Sequence, residues 1–146
     1  MPDSSSESKP NFWLIKFAPF RTDWEEILMA GNFTLRGIRS PIARKNLAAM
    51  RIDDPVLFYR SQKNQAVMGT MKVSREAYSD PTSADTGWLT CDFTPMKTLS
   101  TPVSLLELRE QEQLSGLQLL RQPRVAVTPV SRKEFEFIVD LGFRTP

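Results

Sequence analysis

Two strand-like runs lie almost back to back in the middle of this chain. They are PVLFYRS, residues 55–61, and AVMGTMKVSR, residues 66–75. Both are rich in aromatic and β-branched residues, and the tetrapeptide SQKN links them as a hairpin turn would. A parallel pair needs a crossover of about a dozen residues or more, which this gap cannot supply. The third run, Trp88 to Thr94 with a continuation from Met96 to Leu99, follows the loop-forming YSDPTSADTG and has no helical segment before it. The centre of the molecule is therefore expected to be an antiparallel or mixed sheet, not a doubly wound parallel one.

The flanking segments fit the margins of such a sheet. FWLIKF, residues 12–17, reads as a strand that Pro19 halts, with Phe12 and Leu14 on one face and Trp13, Ile15 and Phe17 on the other. Thr22 and Glu25 have capping-box spacing before a short helix that Gly31 ends. Ser40-Pro41 is a helix start, and Ala43, Leu47 and Met50 recur at helical spacing behind it. Ser104 with Glu107 and Ser131 with Glu134 repeat the capping pattern. The second of these precedes RKEFEFIVDL, whose Phe135, Ile138 and Leu141 form one stripe. VAVTPV, residues 125–130, reads as a strand, and Pro129 puts it at an edge or an end. Gly69 within the third strand marks a bulge or a close backbone approach. The whole is expected to be an α+β fold, a small curled barrel with helices at its margins. One domain, residues 12–142, is expected between an N-terminal tail at 1–11, polar enough to stay disordered, and a short C-terminal tail at 143–146.

Composition limits the chemistry. The chain of 146 residues has no histidine and a single cysteine, Cys91. Zinc sites of Cys and His, and nucleophile–histidine pairs, cannot be built. No intrachain disulfide is possible, and the reducing cytoplasm is the expected compartment. No metal site, cofactor or catalytic group is expected, and no apolar run reaches the roughly 18 residues of a membrane-spanning helix. Asp53, Asp54, Asp80 and Asp85 sit in turns, where aspartates commonly hydrogen-bond the backbone.

Charge is unevenly spread. The net charge is +2, yet residues 36–60 alone carry +4 through Arg36, Arg39, Arg44, Lys45, Arg51 and Arg60 against Asp53 and Asp54. A local basic patch on a near-neutral protein points to an anionic partner at one place. Ser40-Pro41 would open a helix within it, and helix N-termini attract anions.

The ordered series FWLIK…P, G-I-R…A-R-x-N, D-x-x-L-F-Y-x-S, V-x-G, A-Y-x-D-P and R-Q-P-R-V-A-V-x-P-V resembles the EVE domain family, related to the PUA-like group that includes YTH domains. The resemblance runs from about Phe12 to Leu141. It implies a PUA-like barrel of five or six strands and a non-catalytic module that binds nucleic acid, RNA or DNA, with a pocket for a flipped or modified base. Gly37, Arg39, Ala43, Arg44, Asn46, Phe58, Tyr59, Ser61 and Arg124 match the family pattern. The usual Lys-Ser-Glu-Pro stands here as Lys16-Phe17-Ala18-Pro19, the Trp-Asp-Gly-Val-Arg-Asn-Tyr-Gln stretch has lost its Trp, Asn, Tyr and Gln, and Arg60 replaces a histidine.

These departures predict a drier and more basic site. The candidate pocket is Phe17, Arg39, Ser40, Tyr59, Arg60, Ser61 and Trp88. The candidate phosphate contacts are Arg36, Arg44, Lys45 and Arg124. Each has a plainer reading. Phe17 and Trp88 can be core residues of their strands, and Arg39, Arg44 and Arg124 can tie loops to the sheet. The alternative for the whole chain is a small-molecule or protein-interaction module that has lost base recognition.

Overall fold

The structure is a computed structural model that describes residues 11–19, 21–38, 40–80 and 89–144. The expected N-terminal tail lies almost wholly outside these residues.

Among the described residues, six strands make one mixed sheet: β1 (Phe12–Phe17), β2 (Phe33–Thr34), β3 (Pro55–Arg60), β4 (Ala66–Ser79), β5 (Leu89–Ser104) and β6 (Val127–Val130). Their spatial order is β2-β5-β4-β3-β1-β6. The β3–β4 and β4–β5 pairs are antiparallel, as the short connections require, while β1 runs parallel to β3. The chain reaches that parallel neighbour through two helices, α1 (Trp24–Ala30) and α2 (Pro41–Ala49). Three more follow: α3 (Leu105–Glu110), α4 (Gln118–Arg121) and α5 (Arg132–Gly142).

Period two along β1 divides the core. Trp13, Ile15 and Phe17 join Trp24, Ile27, Phe33, Leu47, Phe58 and Phe93 in one apolar cluster. Leu14 joins Leu57, Tyr59, Leu108, Leu119 and Ile138 in the other. The first cluster takes in α1 and α2, and the second takes in α3, α4 and α5. Phe33 on the short β2 meets the rings of Phe17 at 4.9 Å and Phe58 at 5.9 Å, so the sheet curls until its first edge reaches back over β1 and β3.

The curl does not close. β2 and β6 are the two edges and share no ladder, which corrects the expectation of a barrel. The physical reason is α2, which occupies the gap. Its Asn46 side chain donates to the Val127 carbonyl at 2.7 Å on β6, and its Leu47 carbonyl accepts from the Cys91 thiol at 3.6 Å on β5. The helix thus satisfies the Val127 carbonyl, a backbone group of the β6 edge.

Local details explain the other differences from the sequence reading. Asp23, not Thr22, caps α1, and its box partner is Glu26. The Thr22 hydroxyl instead donates to the Arg21 carbonyl at 2.6 Å. From Leu89 on, the two expected pieces are one long strand, β5, bent by several register shifts against β4. Gly69 is a place of close approach: a Cβ there would lie 2.2 Å from the Trp24 ring. The indole rests over that glycine and donates to Thr98 Oγ1 at 2.9 Å.

Candidate functional site

β1 and β3 run parallel, so their C-terminal ends finish side by side, joined where the Ser61 N–H donates to the Phe17 carbonyl at 3.0 Å. A cavity of about 330 Å³ opens beyond these ends. Lys16, Phe17 and Ala18 enter it from β1, Ser61 and Gln62 from the turn after β3, and Gly37, Ile38, Ser40 and Ala43 from the loop before α2 and its first turn. Arg21, Arg124 and Ala126 complete it. A strand end exposes both faces of its last residues. That is why Lys16 and Phe17, of opposite parity, share one cavity.

Three cations line it, Lys16, Arg21 and Arg124, and no aspartate or glutamate is among its described lining residues. Burial pulls the Lys16 ammonium below the usual lysine value, and it donates to the Pro123 carbonyl. The Arg21 guanidinium lies 4.6 Å above the Phe17 ring and donates to the Arg36 carbonyl at 3.3 Å. The Ser40 hydroxyl caps α2 by accepting from the Ala43 N–H at 3.4 Å, so the partly positive helix end faces the same space. Gly37 has φ +77° and donates to the buried Asp80 carboxylate at 3.1 Å. A Cβ on Gly37 would stand 3.2 Å from Arg21 Nη2, so this glycine sets how closely the loop and Arg21 approach.

Of the expected pocket residues, Phe17, Ser40 and Ser61 line this cavity, and so does Arg124 from the phosphate set. Tyr59 is not there. It is fully buried on the other face of the sheet, donates to Gln65 Oε1 at 3.0 Å, and burial pushes its phenol up to about 12, partly offset by Arg109. Its parity on β3 decides this, since Phe58 takes the face shared with Phe17. Arg60 turns to a neighbouring cavity lined also by Pro19, Asp23, Gln62, Lys63 and Asn64. There it pairs with Asp23 at 3.6 Å and donates to the Asn64 carbonyl at 3.2 Å. Arg36 and Lys45 are exposed and Arg44 is half-buried, and none of the three lines the main cavity. Arg39 and Trp88 lie outside the described residues.

The EVE domain family model matches residues 11–141. The chain belongs to the EVE domain family. Mouse thymocyte nuclear protein 1 is 29% identical over 93% of this chain and 75% of its own length. The crystal structure of an Agrobacterium tumefaciens protein superposes on this EVE domain with a TM-score of 0.89 at 30% identity, covering 93% of this chain and 96% of that one. Human THYN1 protein, solved in complex with DNA containing 5-methylcytosine, has a TM-score of 0.86 at 24% identity, covering 93% of this chain and 99% of that one.

Sequence reasoning missed Lys16, Arg21 and Gln62. Lys16 stands in the quoted FWLIK motif, but strand parity assigns it to the face opposite Phe17. Arg21 and Gln62 belong to turns, where no periodicity reveals a direction.

Proposed function

We propose that this EVE domain is a non-catalytic nucleic-acid-binding module whose basic cavity receives an extruded base, with Lys16, Arg21 and Arg124 toward the phosphates. The observation that carries the reading is the cavity itself: three cations, a helix N-terminus and no carboxylate among its described lining residues, beside the apolar Phe17, Ala18, Ile38, Ala43 and Ala126. Cations suit the phosphate backbone, while apolar lining residues beside them suit a base. The DNA complex of human THYN1, on the same fold, supports a nucleic-acid partner. The Arg21 guanidinium above Phe17 offers a planar cation on which a base can stack. Gln62 and Ser61 are the side chains placed to read its edge.

Fluorescence anisotropy with short oligonucleotides tests this. Three neutralised phosphates predict a slope of about −2.7 in log K against log salt on duplex DNA, a loss of roughly 40-fold between 50 and 200 mM. Arg124→Ala, at an exposed position, should reduce the magnitude of that slope by about one. A methylated cytosine should bind about fourfold tighter than cytosine if its methyl reaches the apolar lining, at ~0.8 kcal/mol per buried carbon. No binding at low salt would sink the nucleic-acid reading. Binding without discrimination between the two bases would remove base insertion and leave phosphate contact alone.

A further inference from the structure

On the opposite face of the sheet lies a second cavity, of about 300 Å³, between the strands and the helical segment that follows β5. Lys16, Tyr59, Gln65 and Arg109 give it a polar end, and Leu105, Leu119, Leu120 and Pro123 give it apolar walls. Leu105 and Arg109 are one helical turn apart on α3, so both project from one side of it. The Leu105 N–H donates to the Gln65 carbonyl at 3.1 Å and holds the start of that helix against the turn before β4.

The charges of this cavity lack an acidic counterpart. No carboxylate is among its described lining residues, and neither Lys16 nor Arg109 forms an ion pair with any described carboxylate. Lys16 donates one hydrogen bond, to Pro123, which leaves two ammonium donors. The Tyr59 hydroxyl donates to Gln65 Oε1, so the amide NH₂ of Gln65 is turned to other acceptors. The Arg109 guanidinium acts electrostatically on that same phenol across the cavity. Two cations and an amide donor at one end of a chamber, with leucines walling the other, complement an anionic head on a short apolar body.

We infer that this cavity binds a small amphipathic anion, its carboxylate or phosphate head between Lys16 Nζ and the Arg109 guanidinium and its short apolar body against Leu105, Leu119 and Leu120. A planar guanidinium can take such a head through two parallel hydrogen bonds. Lys16 lines both cavities, so Arg109, which lies outside the first, is the residue that separates this inference from the nucleic-acid reading.

Amide chemical shifts of the whole chain, titrated with hexanoate, phenyl phosphate and the neutral hexanamide, decide it. The expected result is a saturable shift centred on Leu105, Leu119 and Leu120 with one or both anions, at least tenfold weaker with hexanamide. Hexanoate and phenyl phosphate separate a carboxylate head from a phosphate head. Arg109→Ala and Arg109→Glu, at an exposed position, should weaken binding about tenfold or more while leaving oligonucleotide affinity within twofold. The proposal is overturned if neither anion gives saturable shifts up to 10 mM, if hexanamide binds equally well, if Arg109 substitution changes nothing, or if the shifts centre on Ser40 and Ser61.

Discussion

Asp54 shows what one buried carboxylate can hold. It is 4% exposed and accepts from the Trp13 indole at 2.9 Å, the Arg51 N–H at 3.0 Å and the Asn11 N–H at 3.3 Å. One side chain thus fastens the start of β1 to the turn that opens β3. Asp54→Ala would leave an indole N–H and backbone donors unpaired, at roughly 3 kcal/mol in all. Urea denaturation should show the midpoint falling by about 1–2 M with the slope unchanged. Cys91 gives a second residue-level expectation. Burial, reinforced by Asp92 and Glu76, pushes its thiol up to about 12. A thiol held protonated is a poor nucleophile. Native protein at pH 8 should leave Cys91 unmodified by a colorimetric disulfide reagent, while unfolded protein reacts with one equivalent.

At the level of elements, α2 has two duties. Its first turn faces the basic cavity through Ser40 and Ala43, and its later turns fill the opening between β5 and β6. Asn46 belongs to the second duty. Losing its bond to Val127 should destabilise the protein by about 1–2 kcal/mol and expose the β6 edge. Hydrogen exchange should therefore accelerate selectively at the amides of β6 and α2 in Asn46→Ala. Equal acceleration throughout would show that α2 does not guard that edge. At the C-terminal end, the Ser131–Glu134 box is complete: the serine accepts from the Glu134 N–H at 3.0 Å and the glutamate accepts from the Ser131 N–H at 2.9 Å. Ser131→Ala should lower stability by ~1 kcal/mol, readable as a shift in thermal midpoint.

For the whole molecule, alkaline pH is the informative variable. Cys91 and Tyr59 both titrate higher in the folded protein than their ordinary values of about 8.5 and 10. Below about pH 8.5 both groups keep their protons whether folded or not, and their contribution is constant. From there toward pH 12 the unfolded chain releases protons that the folded chain retains, so stability falls as pH rises. Half-buried Lys16, shifted downward, acts in the opposite direction within the same range. The net expectation is a loss on the order of 2 kcal/mol between pH 8 and 10.5. Urea unfolding at the two pH values measures it, and Cys91→Ala should remove much of the difference.

Much of this architecture is legible in residue order, because it depends on local physics. Short links forced antiparallel pairing, parity along FWLIKF sorted the core into two sides, and Ser40-Pro41 set the start of α2. The position of the cavity is also partly legible, since Phe17 and Ser61 stand at the ends of parallel neighbours, which meet, and Ser40 opens α2. Tertiary structure alone decided the rest. Whether the curled sheet closed depended on the space α2 takes between two edges, which no local pattern encodes. Which arginines face a common space depended on turns: Arg21 folds over Phe17, and Arg60 is drawn to Asp23. A side chain's type is written in the chain, but the direction it points from a turn is set by what packs around it.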